Sequence, residues 1–337
     1  MIFHDARLLH HWRVGGGGIL RGALTLLGYP IASSYSAVMA LRNSHYDRVG
    51  GQKIPGVKVV SVGNLVVGGT GKTPFSAWVA KELKVRDLSP AIVSRGYGRD
   101  ELILHNKWNP DTPVVADSDR LKAASLAGLE GADIVVLDDG FQHRRIARDF
   151  DIVLLSAEDG FPGYLLPTGP YREPVQSLRR ADAVLVTRRT APCRVAEKIL
   201  AQVRGIAPEA LTAAIHLSPF AWQDLRGFPA TPPDGNILAV AAVARPIEFS
   251  QSIANMVTGT VELMSFPDHH DYRSDDIKKI CLAARERTIA VTEKDAVKLA
   301  QYDDILGEVR VLVERVRWES GRPEIERALD KLVGATA

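Results

Sequence analysis

The feature that most restricts this chain is a glycine-rich turn set between an apolar run and a helical stretch. VKVVSVGN is followed by VVGGTGKT at 66–73, and helical spacing then runs from Thr73 to Val85. In a strand–turn–helix unit of this kind the turn points backbone N–H groups at a phosphate, and the helix N-terminus adds positive potential. Lys72 is placed to reach the β- and γ-phosphates, and the Thr73 hydroxyl to bind magnesium. The expected nucleotide cradle is Val66, Val67, Gly68, Gly69, Thr70, Gly71, Lys72 and Thr73. The usual P-loop pattern opens with a glycine, and here that position is Val66. A chance glycine turn is disfavoured by the preceding strand and the GKT ending.

Further along, AIVSRGYG, ADIVVLDDG, DIVLLS and ADAVLVTR read as strands, with Arg120–Leu129 and Cys193–Arg204 as helices. Continuous Val/Ile/Leu runs separated by helices indicate a parallel sheet covered on both faces. The Pro-rich stretch FPATPPDG at 228–235 marks a domain boundary. Beyond it, NILAVAAVA, ERTIAVTEKDAVKL and VRVLVERV suggest a second α/β unit. The expected fold is therefore a P-loop NTPase-type α/β core over 51–228, a smaller C-terminal α/β domain over 229–337, and an N-terminal membrane-associated helical segment over 1–50.

That segment rests on Gly22–Leu41, twenty positions without a charge, bracketed by Arg21 and Arg42. As a helix it would span about 30 Å, close to a bilayer core. Ser33, Ser34, Ser36, Gly28 and Pro30 make it only mildly apolar, so a buried core helix is the competing reading. Arg42, His45, Arg48, Lys53 and Lys58 suit an anionic cytoplasmic leaflet. Gly15–Gly18 reads as a flexible joint. The formal charge of +2 over 337 residues gives no global argument for nucleic acid. No protein partner is expected. Cys193 and Cys281 lack metal-like spacing and suit a reducing compartment.

Asp138 and Asp139 end the strand ADIVVL, where P-loop enzymes place a magnesium-holding carboxylate. DDG is also good turn chemistry, so a solvated strand-end turn is the plainer alternative. SVGNLVVGGTGKTP, SRGYGR, LDDGFQHRRIARD, LPTGPYREP, FPDHH and TEKDAVK occur in the order found in the tetraacyldisaccharide 4'-kinase (lipid A 4'-kinase) family, and the chain resembles that family from about residue 20 to its end. The resemblance implies an enzyme at the cytoplasmic face of the inner membrane. It would move the γ-phosphate of ATP, with Mg2+, to the 4'-hydroxyl of the acylated lipid A disaccharide precursor.

Carried over by position, the family's catalytic Asp falls on Asp100, with Glu101 beside it, its histidine on His269, and its acceptor-binding pair on Arg172 and Glu173; His143 is a further acceptor contact or a structural hydrogen bond in the DDGFQH turn. This alignment shortens the stretch after SRGYGR, and Arg99 stands where the family has Gly. AVAAVARP at 239–246 departs from the family's glycine-rich turn. A positioned base assists attack by a sugar hydroxyl, which Asp100 could supply with His269 orienting it. FPDHH could equally be a polar turn in which Asp268 caps a helix from Ser274. Arg172 suits bidentate contact with a phosphate, the acceptor's 1-phosphate being a candidate, and an exposed ion pair with Glu173 is its bland alternative. Thr292–Lys298 fits either a base-reading Lys-x-Asp segment or a capping box between Thr292 and Asp295. Two other classes stay open: a P-loop GTPase or metallochaperone-type regulator, and a membrane-tethered nucleotide-binding module. The paired acids, the Asp/His constellation and the Arg-Glu segment favour the kinase.

Overall fold

A computed structural model of the chain describes residues 19–334, Tyr97 excepted. The Gly15–Gly18 joint and the start of the N-terminal segment lie outside the described residues. In chain order the elements are α1 (Ile19–Val49), β1 (Lys58–Asn64), α2 (Lys72–Val85), β2 (Pro90–Ser94), α3 (Arg99–Trp108), β3 (Val114–Ala116), α4 (Arg120–Leu129), β4 (Ile134–Asp138), β5 (Phe150–Ser156), β6 (Ala183–Arg188), α5 (Cys193–Ile206) and β7 (Leu211–Gln223). There follow β8 (Pro229–Ala230), β9 (Ile237–Ala241), α6 (Pro246–Ala254), β10 (Val261–Ser265), α7 (Ser274–Ala284), β11 (Thr288–Thr292), α8 (Glu293–Leu299), α9 (Asp303–Leu306), β12 (Val309–Ser320) and α10 (Arg322–Gly334).

The twelve strands among the described residues join one sheet, in the order β10-β9-β11-β12-β7-β6-β5-β1-β4-β2-β3, with β8 on β7. The pairings are parallel except those of β7 with β12 and with β8. The apolar runs account for this: β1, β2, β4, β5 and β6 are buried along nearly their whole length, as strands covered on both faces must be. On one face Phe75, Val79 and Leu83 of α2 pack on Val60, Val62, Ile134 and Val136. On the other, Ala196, Ile199 and Val203 of α5 pack on Val153, Leu155, Val184 and Val186. The strands expected beyond 235 extend this same sheet.

The long β7–β12 ribbon positions the site. The first half of β7, Leu211–His216, pairs with β6. The start of β12, Val309–Leu312, pairs with β11 and lies against the far end of β7, where Leu312 is opposite Trp222. Because β7 and β12 run antiparallel, the parallel strands on the two sides aim their carboxyl ends toward each other. Crevices outside strand carboxyl ends are where open α/β sheets bind ligands, and β1, flanked by β4 and β5, is the switch point of the first half.

α1 carries Pro30 within its length. Among the described residues no helix is long and apolar enough to cross a membrane. The second half of α1 is docked on the core. The Tyr35 hydroxyl donates to the Arg172 carbonyl (2.8 Å), Asn43 donates to Glu173 (2.9 Å), and Arg144 pairs with Asp47 (2.6 Å).

Candidate active site

The glycine turn leaves β1 and enters α2 through Gly71, whose φ of 86° is left-handed. A side chain there would also strike Leu217, so only glycine serves. Thr70 is pinned on both sides: Asn64 donates to its hydroxyl (3.0 Å), and Thr187 donates to its carbonyl (3.0 Å). The departure at Val66 has a structural reason. Val66 and Val67 are buried, and they pair with the GPYREP segment through a Val66–Tyr171 bridge and a Val67 N–H to Pro170 carbonyl bond of 2.9 Å. These two residues thus tie the start of the turn to that segment.

Asp138 ends β4 beneath this turn. Its two oxygens are taken by Ser76 (3.2 Å) and by His105 Nε2 (2.9 Å). Burial would raise its pKa, but the His105 hydrogen bond and charge, with Lys72, bring it below the ordinary value. Asp139 follows in a left-handed conformation, φ 62°. It lies 3.4 Å from Lys72 and 3.2 Å from Arg172. Burial again opposes ionisation, and those two cations outweigh it and hold Asp139 well below the usual carboxylate range.

The next layer comes from both halves of the sheet. Asp100 and Glu101 open α3, and α3 packs against α8. His269, in a left-handed conformation after β10, sets Nδ1 3.3 Å from the Asp100 carboxylate. Lys298 of α8 stands 3.4 Å from the same carboxylate. Burial raises the Asp100 pKa, while the His269 hydrogen bond and the charges of Lys294, His269 and Lys298 lower it further. His269 is correspondingly raised, chiefly by its bond to Asp100. Gly98 is needed for this approach, since a Cβ there would meet Asp100 Oδ1 and His269 Nδ1. Glu101 accepts from Lys294 (2.7 Å) and, on the same oxygen, from the Thr73 hydroxyl (3.4 Å).

Other residues are placed as follows. His270 leaves the site: it bonds Asp276 (3.0 Å) and stacks on Phe266. Asp276, not Asp268, meets the Arg273 N–H at the start of α7, so the alternative in which Asp268 caps this helix does not hold. Arg172 donates to Asp139 and to Gln142. Glu173 is wholly buried and takes two bonds of 2.9 Å from Arg180, with Asn43 and Gln142 completing its shell. His143 is half-buried in the DDGFQH turn, and burial together with Arg120 lowers its pKa to about 4. Thr292 caps α8, accepting from the Asp295 N–H, and Asp295 is buried with bonds from Ala242 N–H, Tyr272 and Thr292. The segment is therefore a strand-to-helix cap that fixes the AVAAVARP loop. From that loop Arg245 donates to the Gly69 carbonyl and pairs with Asp159 (2.6 Å) and Glu248 (3.1 Å).

The sequence profile of the family described as tetraacyldisaccharide-1-P 4'-kinase, LpxK, matches residues 24–334. The chain belongs to this family. Among 4'-kinase relatives, the tetraacyldisaccharide 4'-kinase of Halorhodospira halophila is 37% identical over 292 residues, covering 80% of this chain and 82% of that protein. That of Janthinobacterium sp. (strain Marseille) is 33% identical over 340 residues, covering 93% and 94%. The "apo" form LpxK of Aquifex aeolicus, solved in complex with ATP, superposes with a TM-score of 0.69 at 27% identity, covering 94% of this chain and all of that one. Within the 4'-kinase pattern, sequence reasoning singled out Lys72, Thr73, Asp100, Glu101, Asp138, Asp139, Arg172 and His269, and the structure brings these together at the facing strand ends. It did not single out His105, Lys298, Arg245 or Arg120. For His105 the available signal was its position one helical turn after Glu101.

Magnesium is tested by its donors. Among the described residues no three His, Cys, Asp or Glu converge as a metal cage. Magnesium beside a nucleotide needs none, since one or two carboxylates and a hydroxyl complete a shell of phosphates and waters. Thr73, Asp138 and Asp139 are such a hard oxygen set, and they fit.

Proposed function

We infer that this chain transfers the γ-phosphate of ATP to the 4'-hydroxyl of the tetraacyl glucosamine disaccharide 1-phosphate, a step of lipid A biosynthesis. The observation that carries this reading is the Asp100–His269 pair, built from both halves and set beside the Lys72–Asp139 centre. A nucleotide switch or tethered module has no use for a proton acceptor there, so the regulator and binding-module readings are not favoured.

Gly68–Thr73 would bind the triphosphate, with Lys72 on the β- and γ-groups. Thr73 with Asp138 or Asp139 would hold magnesium, which neutralises charge on the phosphates when bound. The 4'-oxygen attacks the γ-phosphorus, the bond from that phosphorus to the β-bridging oxygen breaks, and ADP leaves. The hydroxyl proton goes to His269 Nε2, because Nδ1 is engaged by Asp100. Two lysines near Asp100 weaken it as a base, whereas Asp100 strengthens the imidazole. On this reading the proton acceptor is the histidine and Asp100 orients it, the reverse of the roles expected from the sequence. Arg172 faces the incoming acceptor, and Glu173 sets Arg180, Gln142 and α1 around that pocket. The segments 51–228 and 229–337 act as two domains that close on the cleft. The enzyme works at the cytoplasmic face of the inner membrane, and no nucleic acid or protein partner takes part. A phosphate-transfer assay with labelled ATP and the disaccharide 1-phosphate in detergent micelles tests this. Labelled lipid is the expected product, and GTP-preferring hydrolysis without lipid labelling would overturn the reading.

A further inference from the structure

Arg120 is the first residue of α4, only 4% exposed. Buried arginines are tolerated when paired, because an uncompensated charge out of water is costly. The other buried arginines obey this: Arg144 pairs with Asp47, and Arg245 with Asp159 and Glu248. Arg120 does not. Its Nε is buried without a partner, and the side chain makes no hydrogen bond or ion pair among the described residues.

Its place in the fold says what would satisfy it. α4 begins just past the carboxyl end of β3, at the sheet edge where β2, β4 and β1 also end, so Arg120 approaches the site from the side opposite β5. Its charge is felt by Asp139 and by His143. Asp139 is already shared by Lys72 and Arg172. Three cations, Lys72, Arg172 and Arg120, therefore act on the two adjoining carboxylates Asp138 and Asp139, and this leaves one positive charge over for an anion that arrives with substrate. We propose that Arg120 is a further catalytic residue, donating from its guanidinium to the phosphoryl group as it passes from nucleotide to acceptor. The planar fork matches the equatorial oxygens, over which charge spreads in the transition state. This rests on the kinase reading above.

The test uses the full-length protein with Arg120→Met and Arg120→Lys, assayed beside wild type. With saturating ATP, turnover of Arg120→Met should fall about 100-fold or more while KM for ATP stays within about threefold. Added guanidinium ion should restore part of the loss. The melting temperature without ligand should be unchanged or higher, because the variant no longer buries an unpaired charge. An acceptor lacking the 1-phosphate separates the two phosphates available: the same loss with it supports contact with the transferring group. Disappearance of the loss would assign Arg120 to the 1-phosphate and overturn the proposal. Near-wild-type turnover, or a lowered melting temperature with no guanidinium rescue, would also overturn it. An inactive wild type would instead bring down the kinase reading itself.

Discussion

Asp100 sits among three cationic partners, His269, Lys294 and Lys298, and that crowding determines how the pair titrates. The carboxylate stays ionised far into acid, so the group that changes state near neutrality is the imidazole. Its pKa is raised above the ordinary histidine value, which is about 6.5. A proton acceptor must be neutral, so kcat/KM should fall as pH drops through the raised value. Asp100→Asn removes the charge that raises it, and the acid limb of the profile should move to lower pH while the plateau drops. A limb that stays in place in the Asn variant would show that another group accepts the proton. Asp100→Ala and His269→Ala should each cut turnover strongly, with the double variant little worse than the more damaging single one, since residues acting as a unit lose their effects non-additively. Lys72 belongs to the same scale. It stands 3.4 Å from Asp139, its one ion-pair partner among the described residues. Lys72→Met should reduce transfer by about 100- to 1000-fold, as loss of a transition-state charge does. Near-normal turnover would remove the phosphate-binding role of the turn.

At the scale of elements, strands and helix starts were legible because each is fixed by local chemistry. β1 and β4 are continuous apolar runs, α2 begins at a glycine turn, and α4 occupies the span its pattern indicated. What was not legible comes from elements whose meaning is tertiary. α3 is short and polar, and only its packing on α8 shows why Asp100, Glu101 and His105 share it. Arg120 carries no motif, and its lack of a partner exists only once β3 has placed it. The segment from Thr292 was ambiguous for a physical reason, since a Thr three residues before an Asp suits both a cap and a base-reading turn. The structure gives Thr292 to the cap and buries Asp295 under three donors. Thr292→Ala should therefore cost about 1 kcal/mol of stability, read as a lower melting temperature. The preference for ATP over GTP should not change, and a shift in that preference would return the segment to nucleotide recognition.

For the whole molecule the question is how a kinase of this shape meets a lipid. Its sheet is continuous, and its cleft lies between facing strand ends, bordered by the second half of α1 through the Tyr35–Arg172 and Asn43–Glu173 bonds. Val38 and Leu41 on the same helix remain exposed, as does Tyr164 in the loop whose Leu166 packs near Tyr35. On the proposed reading these exposed apolar side chains, with the basic Arg48 and Lys53 nearby in sequence, suit a helix lying in an anionic membrane interface. It also accounts for the sequence, which is long and uncharged over 22–41 yet interrupted by serines and Pro30. The full chain should float with vesicles containing anionic lipid. Deleting residues 1–31 keeps Tyr35 and Asn43, so the shortened protein should fold and still phosphorylate acceptor presented in micelles, while its flotation falls sharply. Leu41→Glu in the full chain should weaken flotation without touching the cleft. A full chain that stays unbound would show that the helix covers only protein, and flotation unaffected by both changes would move the membrane surface to another face of the molecule.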